Sequence, residues 1–316
     1  MSRSLRYLLT VFLVSVFGVA EGQSRRLVFM PQWTVQSQFA GYYVALEKGF
    51  YKELGLEVEI VHPSASNSAL NALKDGSCNI ITLQLMQAMI SIDAGMEVVN
   101  ILQTSQRNSL LIIPRHQDIS SLEDLKGRKV GIWKAGFGEL GYILDKEKKL
   151  DINWIPFINS VNLFISGAID ATLAMTYNEY LQILACGIKP AKVFRFSELG
   201  YDIPEEGLYV MAEYYRQHPQ DCEAFAEASR KGWEWVRKHP EEALDIVMEY
   251  ARRGHIKASR VLQRRMLEEI LRLQCAADGS VPTFTLLPEH VANASLLLRA
   301  NGFTGREISY SEITGQ

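Results

Sequence analysis

The chain has 316 residues, of which 47% are hydrophobic and 22% are charged, and its formal net charge is −3 at pH 7. This length and composition suit one or two globular domains with a sizeable core. The slightly acidic balance and the lack of long basic runs argue against a nucleic-acid partner.

The first 22 residues have the pattern of an export signal. Arg3 and Arg6 precede an apolar run at 7–20, and small residues follow it. The run is shorter than the roughly 20 residues that a membrane-spanning helix needs. We therefore expect a signal peptide at 1–22 that is cleaved before Gln23 and a mature protein in the periplasm; an uncleaved anchor is the alternative.

A predicted strand at 27–30 ends in a loop rich in aromatic and amide side chains, and a helix follows the loop. A loop in this position of an open α/β sheet faces the crevice where ligands bind. Flat rings beside neutral amides suit a flat, polar, uncharged molecule. The candidate ligand contacts in this segment are Trp33, Gln36, Gln38, Phe39 and Tyr42.

Strand and helix patterns then alternate, which predicts parallel sheets flanked by helices. Up to residue 113, we expect strands at 56–61, 78–83, 97–103 and 110–113, with helices at 66–74 and 84–94. Gln84 and Gln87 follow the strand at 78–83, Gln103 ends the strand at 97–103, and Gln106 follows that strand. We expect these amides to face the ligand, although polar residues are common at strand ends.

A second unit is predicted at 114–207, with strands at 129–133 and 171–175. Trp133 ends the first strand, and Phe137 follows it in a glycine-containing turn that allows close backbone approach. Tyr177, Asn178 and Glu179 follow the second strand, so both groups should face the same crevice from the opposite side.

Two acidic residues have alternative interpretations. Glu179 can accept hydrogen bonds from a ligand amine, or it can simply favour the positive start of the helix predicted at 178–185. Glu206 precedes a strand at 207–211 that returns to the first unit. It either closes over the ligand or caps the hinge.

Beyond Glu213 the pattern is almost entirely helical, with two amphipathic helices predicted at 256–276 and 288–300. These helices should complete the first unit. We therefore expect a discontinuous first lobe, 23–113 plus 208–316, and a second lobe, 114–207. Two crossing segments would form a hinge on which the lobes close over one ligand.

Motifs of catalysis are missing from the sequence. It has no nucleophile elbow, phosphate loop, zinc-protease motif or dinucleotide fingerprint. The six histidines show no metal-ligand spacing, and the four cysteines are widely separated. We expect no cofactor, no metal site and no enzymatic activity, and we expect the cysteines to be separate buried thiols.

Several short motifs near the Trp33 loop resemble a known family: Trp33-Thr34, Gly41, Tyr43-Val44-Ala45, Glu47-Lys48-Gly49 and Gly55-Leu56 with Val58 and Ile60. They are similar to the opening motif of the thiamine-pyrimidine-precursor-binding proteins. These are periplasmic substrate-binding proteins of ABC importers, related to sulfonate and nitrate binders. The resemblance extends through most of 27–211.

This resemblance implies an α/β, bilobal type II periplasmic binding protein fold and a monomer that delivers a flat aromatic heterocycle to an ABC permease in the inner membrane. In that family a Tyr and a Glu after the equivalent strand contact an aminopyrimidine. Tyr177, Glu179 and the intervening Asn178 match this motif.

One departure affects the function. The family, and the yeast enzymes that make the pyrimidine, generally carry His where this chain has Phe39. The enzymes also have a cysteine-rich cluster that this chain lacks. We therefore expect a binding protein; a pyrimidine-forming enzyme and a ligand-sensing ectodomain with a signalling partner are the alternatives. The aromatic, glutamine-rich loop also suits a larger heterocycle such as riboflavin.

Overall fold

The computed structural model describes residues 25–64, 66–134, 136–158 and 160–315, so the predicted signal peptide lies outside the described residues. The strands are β1 (Arg25–Met30), β2 (Leu56–Ile60), β3 (Ile80–Gln84), β4 (Val98–Gln103), β5 (Leu110–Pro114), β6 (Lys129–Trp133), β7 (Asn153–Phe157), β8 (Ala171–Met175), β9 (Phe194–Arg195) and β10 (Glu206–Met211). The α-helices are α1 (Ala40–Glu47), α2 (Phe50–Glu53), α3 (Ala69–Lys74), α4 (Leu85–Asp93), α5 (Glu139–Lys148), α6 (Asn162–Ile165), α7 (Glu179–Ala185), α8 (Ala212–Gln217), α9 (Pro219–Lys238), α10 (Pro240–Arg253), α11 (Arg260–Leu273), α12 (Pro288–Asn301) and α13 (Tyr310–Thr314).

The strands form two five-stranded sheets, in the orders β2-β1-β3-β10-β4 and β7-β6-β8-β5-β9. Within each sheet the βα units pair in parallel, but β10 and β5 run antiparallel to their neighbours. The expectation of purely parallel sheets is therefore wrong. β5 and β10 are the strands that enter from the other sheet, and they arrive in the opposite direction.

The first sheet and the helices packed on it are called lobe 1 below, and the second sheet and its helices lobe 2. β5 hydrogen-bonds to β8 and β9, and β10 hydrogen-bonds to β3 and β4. The chain therefore crosses between the sheets at 104–109 and 196–205, earlier than the predicted crossings near 113 and 207. The prediction assigned β5 to the wrong lobe, because all residues of β5 are buried and its apolar pattern fits either sheet equally well.

The C-terminal helices pack against lobe 1. α9 and α10 contact α1, α12 contacts α4, and α13 contacts β4. The sequence pattern predicted this helical region but missed the short strands β7 and β9. Among the described residues, no helix combines the length and the apolarity that crossing a membrane would require.

Two glycines let α1 and α9 touch. A Cβ atom at Gly232 would lie 2.1 Å from the carbonyl oxygen of Gly41, and one at Gly41 would lie 2.3 Å from Cδ2 of Trp233. This close approach buries Trp233 completely. An aromatic side chain from the C-terminal half is thereby fixed directly behind the loop that carries Trp33.

The four cysteines are separate thiols. Cys78 and Cys222 are buried, Cys275 is partly buried, and Cys186 is exposed. The expectation of burial is wrong for Cys186, because α7 ends at Ala185 and leaves the next side chain at the surface.

Candidate ligand-binding cleft

A cavity of about 330 Å³ lies between the two lobes and is called cavity A. The residues that line it follow or end β1, β3, β6 and β8, so strand ends converge on one crevice as the strand-end rule predicts. Lobe 1 contributes Gln32, Trp33, Gln36, Gln38 and Gln84, and lobe 2 contributes Trp133, Phe137, Met175, Tyr177, Asn178 and Glu179. Apart from Gln32 and Met175, all were candidate residues in the sequence.

A second cavity of about 300 Å³, called cavity B, shares Gln38 and Tyr177 with cavity A. Its other lining residues are Thr104, Ser105, Glu205, Glu206, Trp233, Ile270, Leu273 and Gln274. Only Glu206 among these was a candidate in the sequence. The helical residues were missed because an inward position on a helix looks the same in sequence whether it faces core or cavity.

Phe137 joins the aromatic side chains of the two lobes. Its ring lies 5.9 Å from the ring of Trp33 and 6.4 Å from that of Trp133, at 82° to each. Its φ of +69° is in the left-handed region, which costs a residue other than glycine about 1 to 3 kcal/mol. Because Trp33 and Phe137 come from different lobes, this contact requires the lobes to be close together.

The Trp33 loop is held from behind by His62. His62 Nδ1 lies 2.7 Å from the carbonyl oxygen of Trp33, and Nε2 lies 3.0 Å from the Tyr43 hydroxyl. Burial lowers the pKa of His62, so the neutral ring donates from Nδ1 and accepts from Tyr43 at Nε2. The backbone N–H of Ser37 also donates to Gln263 Oε1, at 2.7 Å. Sequence reasoning missed His62, which appeared there only as an isolated histidine.

Glu179 both starts α7 and lines cavity A. Its Oε2 accepts a hydrogen bond from the backbone N–H of Met175 at 3.0 Å, and its Oε1 accepts one from Asn178 Nδ2 at 2.9 Å. Burial raises the pKa of Glu179, against the effect of these bonds. Glu179 can therefore stand at the start of α7 and still bind a ligand amine, because each carboxylate oxygen has a second lone pair.

Two adjacent carboxyl groups lie at the second crossing. Glu206 Oε2 accepts from Gln38 Nε2 at 2.6 Å and from Gln32 Nε2 at 3.1 Å. Glu205 accepts from the backbone N–H and the hydroxyl of Ser109, at 2.8 and 2.7 Å. Burial raises the pKa of Glu205 to about 7 and that of Glu206 to about 8. Glu206 therefore ties the Trp33 loop to β10 and holds a proton near neutral pH.

Phe39 and Tyr42 were expected to contact ligand, but both side chains point into the core of lobe 1 and are 0% exposed. The ring of Phe39 lies 6.2 Å from that of His62, and the ring of Tyr42 lies 4.8 Å from that of Phe29. The loop forms a 3-10 turn at Ser37–Phe39 before α1 begins, and this turn directs the two rings inward.

Gln103 and Gln106 were also expected at the ligand, but they hydrogen-bond to backbone instead. Gln103 Nε2 donates to the carbonyl groups of Ser105 and Glu206, at 3.0 and 3.1 Å. Gln106 Nε2 donates to those of Gln103 and Thr285, at 3.2 and 3.3 Å. Both amides therefore bond to backbone carbonyl groups at or next to the first crossing rather than facing a cavity.

Gln87 contacts the opposite lobe rather than a cavity. A Cβ atom at Gly136 would lie 2.3 Å from Gln87 Nε2, so the amide of Gln87 lies directly against the Gly136 backbone of the opposite lobe. Gln87 also hydrogen-bonds to the side chain of Glu139 at the start of α5. The expected ligand contact is therefore a contact between the lobes.

The two cavities have an unusual balance of charge. Among the described residues, no lysine, arginine or histidine lines either of them, whereas Glu179, Glu205 and Glu206 do. In the same part of the chain, no group of three or more His, Cys, Asp or Glu residues is placed to hold a metal ion. The lining therefore suits a ligand that donates hydrogen bonds and carries no negative charge.

Comparisons with known proteins agree with this architecture. The profile of the family described as NMT1/THI5 like matches residues 36–243. The chain is similar to the formylaminopyrimidine-binding protein of Halalkalibacterium halodurans, with 24% identity over 233 residues that cover 69% of this chain and 68% of the relative. It is also similar to the riboflavin-binding protein RibY of Chloroflexus aurantiacus, with 23% identity over 74% of this chain and 68% of the relative.

Enzymes occur among the relatives too. A 4-amino-5-hydroxymethyl-2-methylpyrimidine phosphate synthase of Saccharomyces cerevisiae, THI13, is 21% identical over 69% of each chain. Among solved structures, the periplasmic aliphatic sulphonate binding protein SsuA of Escherichia coli has a TM-score of 0.65 and 16% identity, over 93% of this chain and 100% of that chain. The bilobal type II periplasmic binding protein fold expected from the sequence is thereby confirmed.

Proposed function

Because the chain belongs to the NMT1/THI5-like family, we propose that it is an extracytoplasmic solute-binding protein for an uncharged aromatic heterocycle of the thiamine-pyrimidine-precursor type. The lining of cavity A carries this proposal. Rings from both lobes, those of Trp33, Trp133, Phe137 and Tyr177, surround a space that amides and one carboxyl group also face. Stacking of a heterocycle on such rings contributes roughly 1 to 3 kcal/mol per base.

The charge of the lining argues against an anionic ligand. A sulfonate or phosphate would find no cationic side chain among the described lining residues. Burying a negative charge without a counter-ion is strongly unfavourable, whether or not the neighbouring carboxyl groups hold protons. An exocyclic amine, by contrast, donates hydrogen bonds to the same carboxyl groups. The sulfonate specificity in the name of one structural neighbour is therefore not transferred to this chain.

The lining of cavity A suits one flat ring, since aromatic side chains from both lobes face the same space. Riboflavin is the second candidate, because cavity B adjoins cavity A at Gln38 and Tyr177. A three-ring ligand would extend into both cavities, whereas a pyrimidine ring needs only the first.

Binding is favoured over catalysis by the identity of the lining residues. No cysteine, lysine or histidine lines either cavity among the described residues, so the usual strong nucleophiles and the commonest acid–base group are missing. Phe39, where the pyrimidine-forming enzymes carry His, is buried in the core.

The fold and the predicted leader support a transport role. The export signal predicted at 1–22 favours a periplasmic location for the mature protein. Closure of the two lobes would present a combined surface to an ABC permease in the inner membrane. We propose that the protein acts as a monomer, with one ligand per chain.

Native mass spectrometry tests the function directly. Protein purified without refolding should carry one small molecule, and its released mass and ultraviolet spectrum should be those of a neutral aminopyrimidine. A flavin spectrum would select the second candidate. A bound sulfonate or phosphate ester, or a pyrimidine that the protein itself forms by turnover, would contradict the proposal.

A further inference from the structure

Gln274 directs an unpaired donor into cavity B. The side chain is 2% exposed, and its Oε1 accepts a hydrogen bond from Arg237 Nη2 at 2.8 Å. Because this bond fixes the orientation of the amide, Nε2 is the end that remains, and it has no hydrogen-bond partner among the described residues. A buried donor left unpaired is unfavourable, because it has given up its hydrogen bonds to water without replacing them. An occupant of cavity B that offers an acceptor would remove this cost.

Trp233 supplies a second donor to the same cavity. Its side chain is fully buried, and its Nε1 makes no hydrogen bond of regular geometry among the described residues, although the Tyr42 hydroxyl, which also lacks one, lies beside it. The contact between Gly41 and Gly232 holds α9 against α1, so the indole cannot turn away without moving a helix. Two unpaired donors, from α9 and from the end of α11, therefore lie in the wall of one cavity.

Glu206 gives cavity B its acceptor. The glutamines at 32 and 38 bind its Oε2 and hold the carboxyl group in place. Ile270 and Leu273 provide apolar wall, and no cationic side chain is present among the described lining residues. The cavity thus combines two donors with a carboxyl group in a space of about 300 Å³.

We propose that cavity B binds an uncharged side group of the ligand, a hydroxyalkyl or acylamino group that accepts from Gln274 and Trp233 and donates to Glu206. This inference rests on the proposed function, because the ring occupies cavity A and the side group extends past the contacting side chains of Gln38 and Tyr177, which line both cavities. A charged side group such as a phosphate is rejected, since no described residue that lines cavity B is cationic and a buried negative charge would have no counter-ion there.

Two probes that differ only in the side group test this subsite. They are 4-amino-2-methylpyrimidine and 4-amino-5-hydroxymethyl-2-methylpyrimidine, titrated calorimetrically into the ligand-free protein. We expect the hydroxymethyl probe to bind about tenfold more tightly, the scale of one or two hydrogen bonds. Gln274→Glu keeps the acceptor for Arg237 but replaces the donor, and it should remove this tenfold advantage while changing the affinity for the bare ring less than twofold.

Gln217→Glu, at the exposed end of α8, is the matched control and should change neither affinity. If Gln274→Glu does not fold, Trp233→Phe is the second variant. It should reduce the affinity advantage of the hydroxymethyl probe about threefold. Equal wild-type affinity for the two probes, or equal weakening of both by Gln274→Glu, would overturn the subsite and leave the proposed function standing. Failure of both probes to bind the wild type would overturn the pyrimidine function and this inference with it.

Discussion

Cavities A and B adjoin, but they differ in how they depend on the two lobes. Cavity A has walls from both lobes, whereas Tyr177 is the only described residue of lobe 2 that lines cavity B. Opening the hinge would take cavity A apart and leave most of cavity B intact. We therefore expect cavity B to bind the side group in a pocket that exists before the lobes close. The aromatic side chains of cavity A would then stack on the ring as the lobes close.

The largest effect is expected where helix packing builds cavity B. Gly232→Ala would place a Cβ atom 2.1 Å from the carbonyl oxygen of Gly41. Because the clashing atom belongs to the backbone, the clash can be relieved only by moving α1 and α9 apart. We expect the free energy of unfolding to fall by about 3 kcal/mol. Chemical denaturation should show this loss. Gly305→Ala is the control, since its nearest atom is 3.9 Å away; equal losses in the two variants would mean that the α1–α9 contact is not tight.

Trp33→Ala tests the aromatic wall of cavity A. We expect the binding free energy to weaken by roughly 1 to 3 kcal/mol through loss of stacking. The free energy of unfolding without ligand should change by less than about 1 kcal/mol, because the indole is partly exposed. Trp235→Ala removes a tryptophan that stacks on His239 at 4.5 Å, away from both cavities, and should leave affinity unchanged. Unchanged affinity in Trp33→Ala with a loss of roughly 3 to 5 kcal/mol in stability would make Trp33 a core residue.

Glu206 should make stability depend on pH. Its pKa is raised from 4.5 to about 8, so the folded chain keeps a proton that the unfolded chain releases. The resulting stabilisation is complete below pH 4.5 and is lost as the pH rises through 8. Between pH 6 and 8 we expect a loss of about 2 kcal/mol, measured by urea unfolding. Glu206→Gln should remove most of this slope; the part that remains belongs to Glu205, and an unaltered slope would contradict the assignment.

The smallest effect is expected behind cavity A. His62→Leu removes the donor to the Trp33 carbonyl group and the acceptor for the Tyr43 hydroxyl. We expect ligand affinity to fall about fivefold, since the loop loses roughly 1 kcal/mol of restraint. His116→Leu, at a largely exposed site in lobe 2, should have no effect on calorimetric titrations. A His62→Leu protein with wild-type affinity would show that the loop is held by other contacts.

The residues of cavity A were easier to predict from the sequence than those of cavity B. Trp33, Trp133, Tyr177 and Glu179 were identified because they follow strands, and the ends of parallel strands meet at one crevice. Gln103 follows a strand as well, yet its amide serves the backbone of the crossing. A polar side chain at a strand end faces either the crevice or unpaired backbone, and the one-dimensional pattern is identical in the two cases.

Most residues that line cavity B were not predicted from the sequence as ligand contacts. Trp233 and Gln274 are apolar-face and helix-end residues with ordinary patterns, and only the packing of α9 and α11 on lobe 1 brings them to Glu206. The fold was predictable because βα alternation and the family resemblance both constrain it. The direction of β5 and β10 was not, because strand polarity depends on which sheet a crossing segment enters.

The central claim is that the cleft selects an uncharged aromatic heterocycle. It is tested most directly by one series of calorimetric titrations with three compounds. Ligand-free wild-type protein is titrated with 4-amino-5-hydroxymethyl-2-methylpyrimidine, with its phosphate ester and with ethanesulfonate under the same buffer conditions. We predict one site per chain for the alcohol, at least about tenfold weaker binding of the phosphate ester, and no binding of the sulfonate, because no described lining residue is cationic and a buried negative charge would have no counter-ion. Tighter binding of either anion than of the alcohol would contradict the claim.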